Sequence, residues 1–181
     1  MILTPEYLAE NKDCVYRNYK QIGGDRKSIR VQHRIKNLKD FCQNAKTILS
    51  VGCGAYEPID LNATHACDIV IDSKNYLRQL GWKGYFLIAS CDELPYPDKS
   101  TDVAVCSEVI EHLPNLEIVK KAFQEINRVA KRWIVTCPDV LGTEPTHKRV
   151  FDEKMLRDAT DGLKVEIKHD AGYWYVIHDS S

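Results

Sequence analysis

Thr47-Ile48-Leu49-Ser50-Val51-Gly52-Cys53-Gly54 is the stretch on which the fold turns. A short, mostly apolar run of strand-forming residues passes straight into a Gly-x-Gly pair. Five residues is the length of a buried strand. Glycine lets the backbone turn sharply and approach a ligand where a Cβ would collide. A Gly-x-Gly pair also serves as an ordinary strand-ending turn, so its meaning depends on the rest of the chain.

Downstream of the glycines the pattern is an alternation. Apolar runs recur at 67–71, 85–89, 103–106 and 133–137, with helical segments between them. Before the last run an amphipathic helix carries Leu116, Val119, Phe123, Ile126 and Ala130 on one face. Strand and helix in alternation predict a parallel sheet with crossover helices, and continuous apolar character predicts strands covered on both faces. The C-terminus departs from that rule. Runs at 163–168 and 173–177 are joined only by His169-Asp170-Ala171-Gly172, too short a link to cross over, so an antiparallel hairpin is expected.

Upstream of the first strand, Thr4-Pro5 reads as an N-cap followed by proline at the first helical position. That helix runs to about Tyr19 and stops before Gly23-Gly24. A second begins near Lys27, with Val31, Ile35, Leu38 and Cys42 on one face. The expectation is a single domain over 1–181, an N-terminal helical cap over 1–45 and an α/β core over 46–181. The segment 54–67 is short and interrupted by Pro58, so the first crossover helix is expected to be stunted.

Composition narrows the functional classes. With 44% apolar and 28% charged residues among 181, the chain has the balance of a globular protein rather than a disordered one. No apolar run approaches the roughly 20 residues of a membrane span. Met1-Ile2-Leu3-Thr4-Pro5-Glu6 lacks the basic-then-apolar build of a secretion signal. The seven cysteines (Cys14, Cys42, Cys53, Cys67, Cys91, Cys106, Cys137) are scattered without a C-x-x-C pair. Neither a zinc site nor a disulfide framework is expected, and a reducing cytoplasm is the expected compartment. Residues 1–46 hold ten Lys/Arg against five Asp/Glu, a basic segment that suits an anionic partner such as a phosphate, or is a solvated helix face.

The chemistry-bearing residues gather on one rim of the expected sheet. In doubly wound sheets ligands bind at the carboxyl ends of the strands. Val51-Gly52-Cys53-Gly54 ends the first strand. Asp72-Ser73 ends the second, where an acid can accept from both hydroxyls of a ribose or cap the helix after it. Asp92-Glu93-Leu94 follows the third, with Asp92 able to take a hydrogen bond from an exocyclic amine such as that of adenine. Ser107-Glu108-Val109-Ile110-Glu111-His112-Leu113 follows the fourth.

As a set these stretches resemble the class I methyltransferases, in particular the broad small-molecule group called type 11. Glu125-Ile126-Asn127-Arg128-Val129 and Val135-Thr136-Cys137-Pro138 fit as well, so the resemblance covers roughly 46–160. It implies a three-layer, Rossmann-like fold and S-adenosylmethionine as cofactor. By resemblance, Gly52 and Gly54 pass beside the methionine part and Asp72 holds the ribose. Asp92 meets the adenine amine, Leu94 packs nearby, and Ser107 lies close to the reacting methyl. Two departures stand out: Ser50 replaces the family's usual acid, and Tyr56 a common third glycine.

His112 has the pKa class of a general base for a hydroxyl acceptor. Glu108, Glu111, His112 and, beyond the fifth strand, His147 also form a set able to ligate a divalent cation. That set resembles the metal site of small-RNA 3′-end 2′-O-methyltransferases, although no metal is assigned from the sequence. Three readings therefore stand. They are a small-molecule O- or N-methyltransferase, a metal-assisted RNA ribose 2′-O-methyltransferase, and a non-catalytic methyltransferase-like subunit motivated by Ser50, Tyr56 and the short crossover. Acceptor specificity is expected from Tyr16, Tyr19, Arg26, Arg30 and the 138–150 loop. Lys148 and Arg149 would suit an anionic acceptor or simply face solvent.

Overall fold

The computed structural model of the chain describes residues 4–20, 25–140 and 145–179. Seven strands form one sheet in the order β3-β2-β1-β4-β5-β7-β6. They are β1 (Ile48–Val51), β2 (His65–Asp68), β3 (Tyr85–Ile88), β4 (Thr101–Ser107), β5 (Ala130–Pro138), β6 (Glu166–Asp170) and β7 (Tyr173–His178). β1 to β5 pair in parallel, whereas β7 runs antiparallel to both β5 and β6. This is the Rossmann-like sheet with an antiparallel C-terminal hairpin that the sequence predicts. The hairpin is tighter than expected, because β6 extends to Asp170 and leaves Ala171-Gly172 as a two-residue turn, both at positive φ. That conformation matches the twist of paired strands.

α1 (Pro5–Lys20) starts as its sequence proposes, with Thr4 Oγ1 accepting from the Tyr7 amide. Gly23-Gly24, proposed as its stop, lie outside the described residues. α2 (Ile29–Phe41), capped by Ser28, packs on the sheet. Its Leu38, with Cys42 beyond its end, joins Ile48, Val103, Val105 and Tyr175 in an apolar cluster. The opposite face is covered by α5 (Leu116–Val129), which buries Val119, Ala122, Phe123 and Ile126. Leu116, expected on that face, sits in the first turn and is 42% exposed, and Ala130 already belongs to β5. α6 (Glu153–Ala159) completes this layer.

Two expectations are corrected. β3 is not covered on both faces: Tyr85 is 75% exposed and Ile88 59%, because β3 ends the sheet and pairs only with β2. β2 ends at Asp68 rather than at Asp72. Ile71 opens α4 (Ile71–Gln79), so Asp72 lies in that helix's first turn. The apolar Ile69-Val70-Ile71 stretch looks like strand, but Asp68 terminates pairing by turning its carboxylate onto the Val70 amide (2.9 Å). The stunted crossover is present as α3 (Glu57–Asp60), a single turn with Pro58 near its start.

Candidate active site

A cavity of about 670 Å³ opens over the carboxyl ends of β1, β2 and β4, within the size range of small-ligand sites. Gly52, Cys53 and Gly54 form one wall. Gly52 and Cys53 amides both donate to the Cys67 carbonyl, folding the loop back onto β2. The two glycines have different tasks. A Cβ on Gly52 would meet the Val109 side chain at 2.5 Å, so Gly52 permits close packing. A Cβ on Gly54 would meet nothing within 4 Å, and Gly54 lines the cavity at φ +53°. That open space beside bare backbone is the cradle a ligand's chain would fill.

Asp68 also lines the cavity. It is 5% exposed, and its Oδ2 accepts from the Gly54 amide at 2.9 Å, tying the glycine loop to the end of β2. Burial pushes its carboxyl above the usual range, while backbone amides of Val70 and Gly54 pull the other way. Asp68 therefore occupies the strand-end position that the sequence assigns to Asp72. Asp72 is turned outward, 3.4 Å from Lys12 on α1, and does not line the cavity. Ser73 is fully buried beneath Asp68.

At the end of β3, Ala89, Ser90 and Cys91 reach the cavity. Asp92 is 8% exposed and accepts from the Ser90 hydroxyl, one step behind the wall. Glu93 faces solvent, and Leu94 is core, its amide donating to Glu125. Val51 is likewise fully buried, behind Gly52. Ser107, at the end of β4, is in the wall and accepts from the Thr136 hydroxyl at 2.9 Å.

The structure adds a residue that sequence reasoning missed. Ser50 Oγ donates to Glu57 Oε1 at 2.7 Å, and Glu57 lines the cavity. A carboxylate thus reaches the loop from α3 instead of from the end of β1. Burial raises its pKa to about 8, with the Ser50 hydrogen bond and the charge of Arg34 opposing that rise. The signal available in the sequence was a glutamate seven residues beyond the position that lacks one.

α1 and α2 roof the cavity. Tyr7, Asn11 and Arg17 come from α1, Arg30 and Arg34 from α2, and Arg26 from the turn before it. Arg34 is 2.8 Å from Glu108, Arg30 3.4 Å from Asp139, and Arg26 pairs with Asp60. Arg26 stacks over Tyr56, 4.6 Å from the ring centroid, so the bulky residue in place of a glycine serves as a platform for a cation. Of the specificity residues expected from the sequence, Arg26 and Arg30 line the cavity with Pro138, Val140, Pro145 and His147. Tyr16 is 49% exposed and apart from it. The Tyr19 side chain and residues 141–144 lie outside the described residues. Lys148 pairs with Glu10, and Arg149 donates to the Leu113 and Pro114 carbonyls. Neither cation faces the cavity wall.

The Glu/His set divides. Glu108, at φ +59°, turns toward Arg34 and Thr136. Glu111, His112 and His147 stay together, their ligand atoms within 4.8 Å of one another. His112 and His147 line the cavity; Glu111 lies behind them.

Residues 49–133, from β1 into β5, match the family model described as a methyltransferase domain. No curated protein matches the sequence. Among solved structures, a Thermotoga maritima protein described as a SAM-dependent methyltransferase and possible histamine N-methyltransferase aligns with TM-score 0.71. The two are 15% identical, over 93% of this chain and 97% of that one. A Burkholderia thailandensis 1,6-didemethyltoxoflavin-N1-methyltransferase, solved with 1,6-didemethyltoxoflavin and S-adenosylhomocysteine, aligns with TM-score 0.63 and 16% identity. That alignment covers 98% of this chain and 89% of that one. An Archaeoglobus fulgidus SAM-dependent methyltransferase gives 0.66 and 19% identity, over 84% and 76%. No helix among the described residues is long and apolar enough to cross a membrane. With the glycine loop, the strand-end acid and the sheet order in hand, residues 49–133 match a methyltransferase domain, and the chain shares the fold of solved S-adenosylmethionine-dependent methyltransferases.

Proposed function

We propose that the chain binds S-adenosylmethionine along Gly52–Gly54 and Asp68 and methylates an O or N atom of a small, anionic acceptor. One observation carries this reading: Gly54, with open space where its Cβ would be, converges with Asp68 and Ser107 on a single cavity. The cofactor supplies a methyl group on a sulfonium, activated for in-line displacement. What the protein adds is alignment, which contributes much of the acceleration in such a step.

In this reading Gly52 and Gly54 let the backbone run beside the methionine part. Asp68, which lines the cavity where Asp72 does not, takes the ribose hydroxyls in its place. Ala89, Ser90 and Cys91 border the adenine end, with Asp92 holding Ser90 in position. Glu57 receives the cofactor's ammonium group, restoring the carboxylate that Ser50 lacks. This answers the Ser50 part of the case for a non-catalytic subunit, which also rested on Tyr56 and the short crossover.

Arg17, Arg26, Arg30 and Arg34 all line the cavity, and such a cluster of guanidinium groups favours carboxylate- or phosphate-bearing acceptors even with Arg26, Arg30 and Arg34 each paired to an acid. α1 lies across the cavity, which suits a small molecule better than a polynucleotide. The Burkholderia neighbour's named substrate is also a small molecule. His112, in the wall at the acceptor end, is the group to take the proton of a hydroxyl acceptor.

Calorimetric titration with S-adenosylmethionine and S-adenosylhomocysteine tests the cofactor half, with micromolar-range binding expected; absence of heat with both ligands sinks it. For the acceptor half, transfer of labelled methyl to a panel of small anions and to RNA is compared. Turnover on RNA alone would replace the small-molecule reading.

A further inference from the structure

The two edges of the sheet are finished differently. β6, at one edge, reads Glu166-Ile167-Lys168-His169-Asp170. Charged side chains in such a run are how natural sheets keep an open edge from pairing. β3, at the other edge, reads Tyr85-Phe86-Leu87-Ile88 and runs on into Ala89, with no charge, proline or glycine among them. Tyr85, Leu87 and Ile88 are all exposed. A bare apolar edge is a template for another strand.

Backbone parity fixes what can pair there. The Tyr85 and Ala89 amides donate to the Thr64 and Asp68 carbonyls on the β2 side, at 2.9 and 3.1 Å. Odd-numbered residues of β3 therefore bond inward. The amides and carbonyls of Phe86 and Ile88 point outward, with no strand beside them among the described residues.

We propose that the chain forms a two-fold dimer in which β3 pairs antiparallel with β3 of a second copy, joining two seven-stranded sheets into one. The two outward residues of each strand allow one full pairing. Phe86 of each copy faces Ile88 of the other, and Leu87 lies beside Leu87 at the axis. Within β3, any other register of the same parity leaves an outward residue unpaired. Ala89, Ser90 and Cys91 of the cavity wall lead directly out of β3, so this pairing also anchors one side of the site.

Charge and shape favour a second copy as the occupant. Lys83 stands before β3 and Glu93 beyond it, both exposed. Antiparallel pairing brings each lysine toward the other copy's glutamate, whereas parallel pairing sets lysine beside lysine. The axis of an antiparallel pair stands perpendicular to the sheet, so the two α4 helices fall side by side on one face. α4 lies over β3, its Leu77 sharing an apolar cluster with Phe86, and its Ile71 and the Leu80 that follows it are exposed. That helix contact is needed, since a stable interface buries upward of about 1,000 Å² and a short strand pair alone does not. Pairing uses the bare edge of both copies and leaves only the charged β6 edges, so assembly closes at two.

Sedimentation of the full chain at micromolar concentration should give twice the 20.7 kDa mass of one chain. Ile88→Pro removes an outward amide, and Leu87→Lys sets two ammonium groups together at the axis. Each should return the mass to that of a single chain with the circular dichroism spectrum unchanged. Leu87→Cys reads the register directly. Cα atoms in such a non-hydrogen-bonded pair stand about 4.5 Å apart, within disulfide reach, so oxidation by diamide should yield a covalent dimer. The chain's own cysteines are all buried. Tyr85→Cys, at a more exposed position, should not cross-link, because its two copies lie about 14 Å apart. Cross-linking decides the matter if the proline or lysine variant fails to fold. A single-chain mass for the parent overturns the proposal and leaves the edge to a foreign strand. A dimer untouched by both folded variants, or cross-linking through Tyr85→Cys rather than Leu87→Cys, overturns it as well.

Discussion

The Ser50 hydroxyl donates a hydrogen bond to Glu57 Oε1 across 2.7 Å, so a carboxylate reaches the cavity beside the glycine loop from the one-turn helix α3 rather than from the end of β1. With the Glu57 pKa at about 8, the resting group is mostly protonated at pH 7. Binding an ammonium favours its ionised form. S-adenosylmethionine affinity should therefore rise from pH 6 to pH 8 and level off above. Glu57→Gln should flatten that profile and weaken binding by about tenfold, as measured by calorimetry at several pH values. 5′-Methylthioadenosine, which lacks the amino acid tail, should bind parent and variant alike.

The same group sets a stability trend. Its folded pKa lies above its unfolded value near 4.5, so between those values the native state holds more protons than the unfolded chain. Glu57's contribution to stability is therefore greatest below about pH 4.5 and declines as pH rises to about 8. Glu57→Gln should remove this part of the pH dependence of the denaturant midpoint; an unaltered slope would show that Glu57 ionises normally.

Asp68 and Asp72 should separate cleanly. Asp68→Asn is expected to cut cofactor affinity by about 10- to 100-fold, because a buried, hydrogen-bonded acceptor is lost. Asp72→Ala should leave affinity within about twofold and cost no more than about 1 kcal/mol, the worth of an exposed ion pair with Lys12. Equal effects in titration would return the ribose role to Asp72.

The two loop glycines should fail in different ways. Gly52→Ala drives a Cβ into Val109 at a positive φ and should lower stability by about 2 kcal/mol, read as a shifted unfolding midpoint. Gly54→Ala meets no atom of the protein and should cost only about 1 kcal/mol for its left-handed backbone. Its Cβ projects into the cradle, so cofactor binding should fall far more than stability.

Arg34 and Glu108 form a largely enclosed ion pair whose loss should be felt throughout the roof. Burial works against the Arg34 charge, but Glu108, Tyr173 and Glu57 together more than offset it. Arg34→Ala leaves Glu108 without its cation and should destabilise the protein by about 3 kcal/mol, lowering Tm by roughly 6–10 °C. A scanning calorimetry shift under about 2 °C would mean the pair is solvated.

Much of this site was legible along the chain because its signals are local. The 47–51 run and its two glycines, the strand-helix alternation and the short link before Tyr173 each depend on neighbours a few residues apart. They define the sheet, its antiparallel end and the glycine loop. Asp72 was misplaced because Ile69-Val70-Ile71 has strand character, and only the Asp68 carboxylate closing on the Val70 and Gly54 amides marks the true end of β2. β3 read as a buried strand because composition does not reveal that it lies at the edge of the sheet.

The sequence by itself determined the α/β class, the hairpin and the glycine loop at the end of β1, since hydrophobic period and glycine placement act at short range. Tertiary structure alone decided which acids serve that loop and which histidines meet. Ser50 recruits Glu57 through a crossover whose path the sequence does not specify. His147 reaches Glu111 only because the Lys148 amide is bound to Glu111's carbonyl. Glu108 leaves the set its spacing suggests because its left-handed backbone turns it to Arg34, 74 residues away in the chain. Such pairings are fixed by packing between distant segments, where charge and burial are settled together rather than residue by residue.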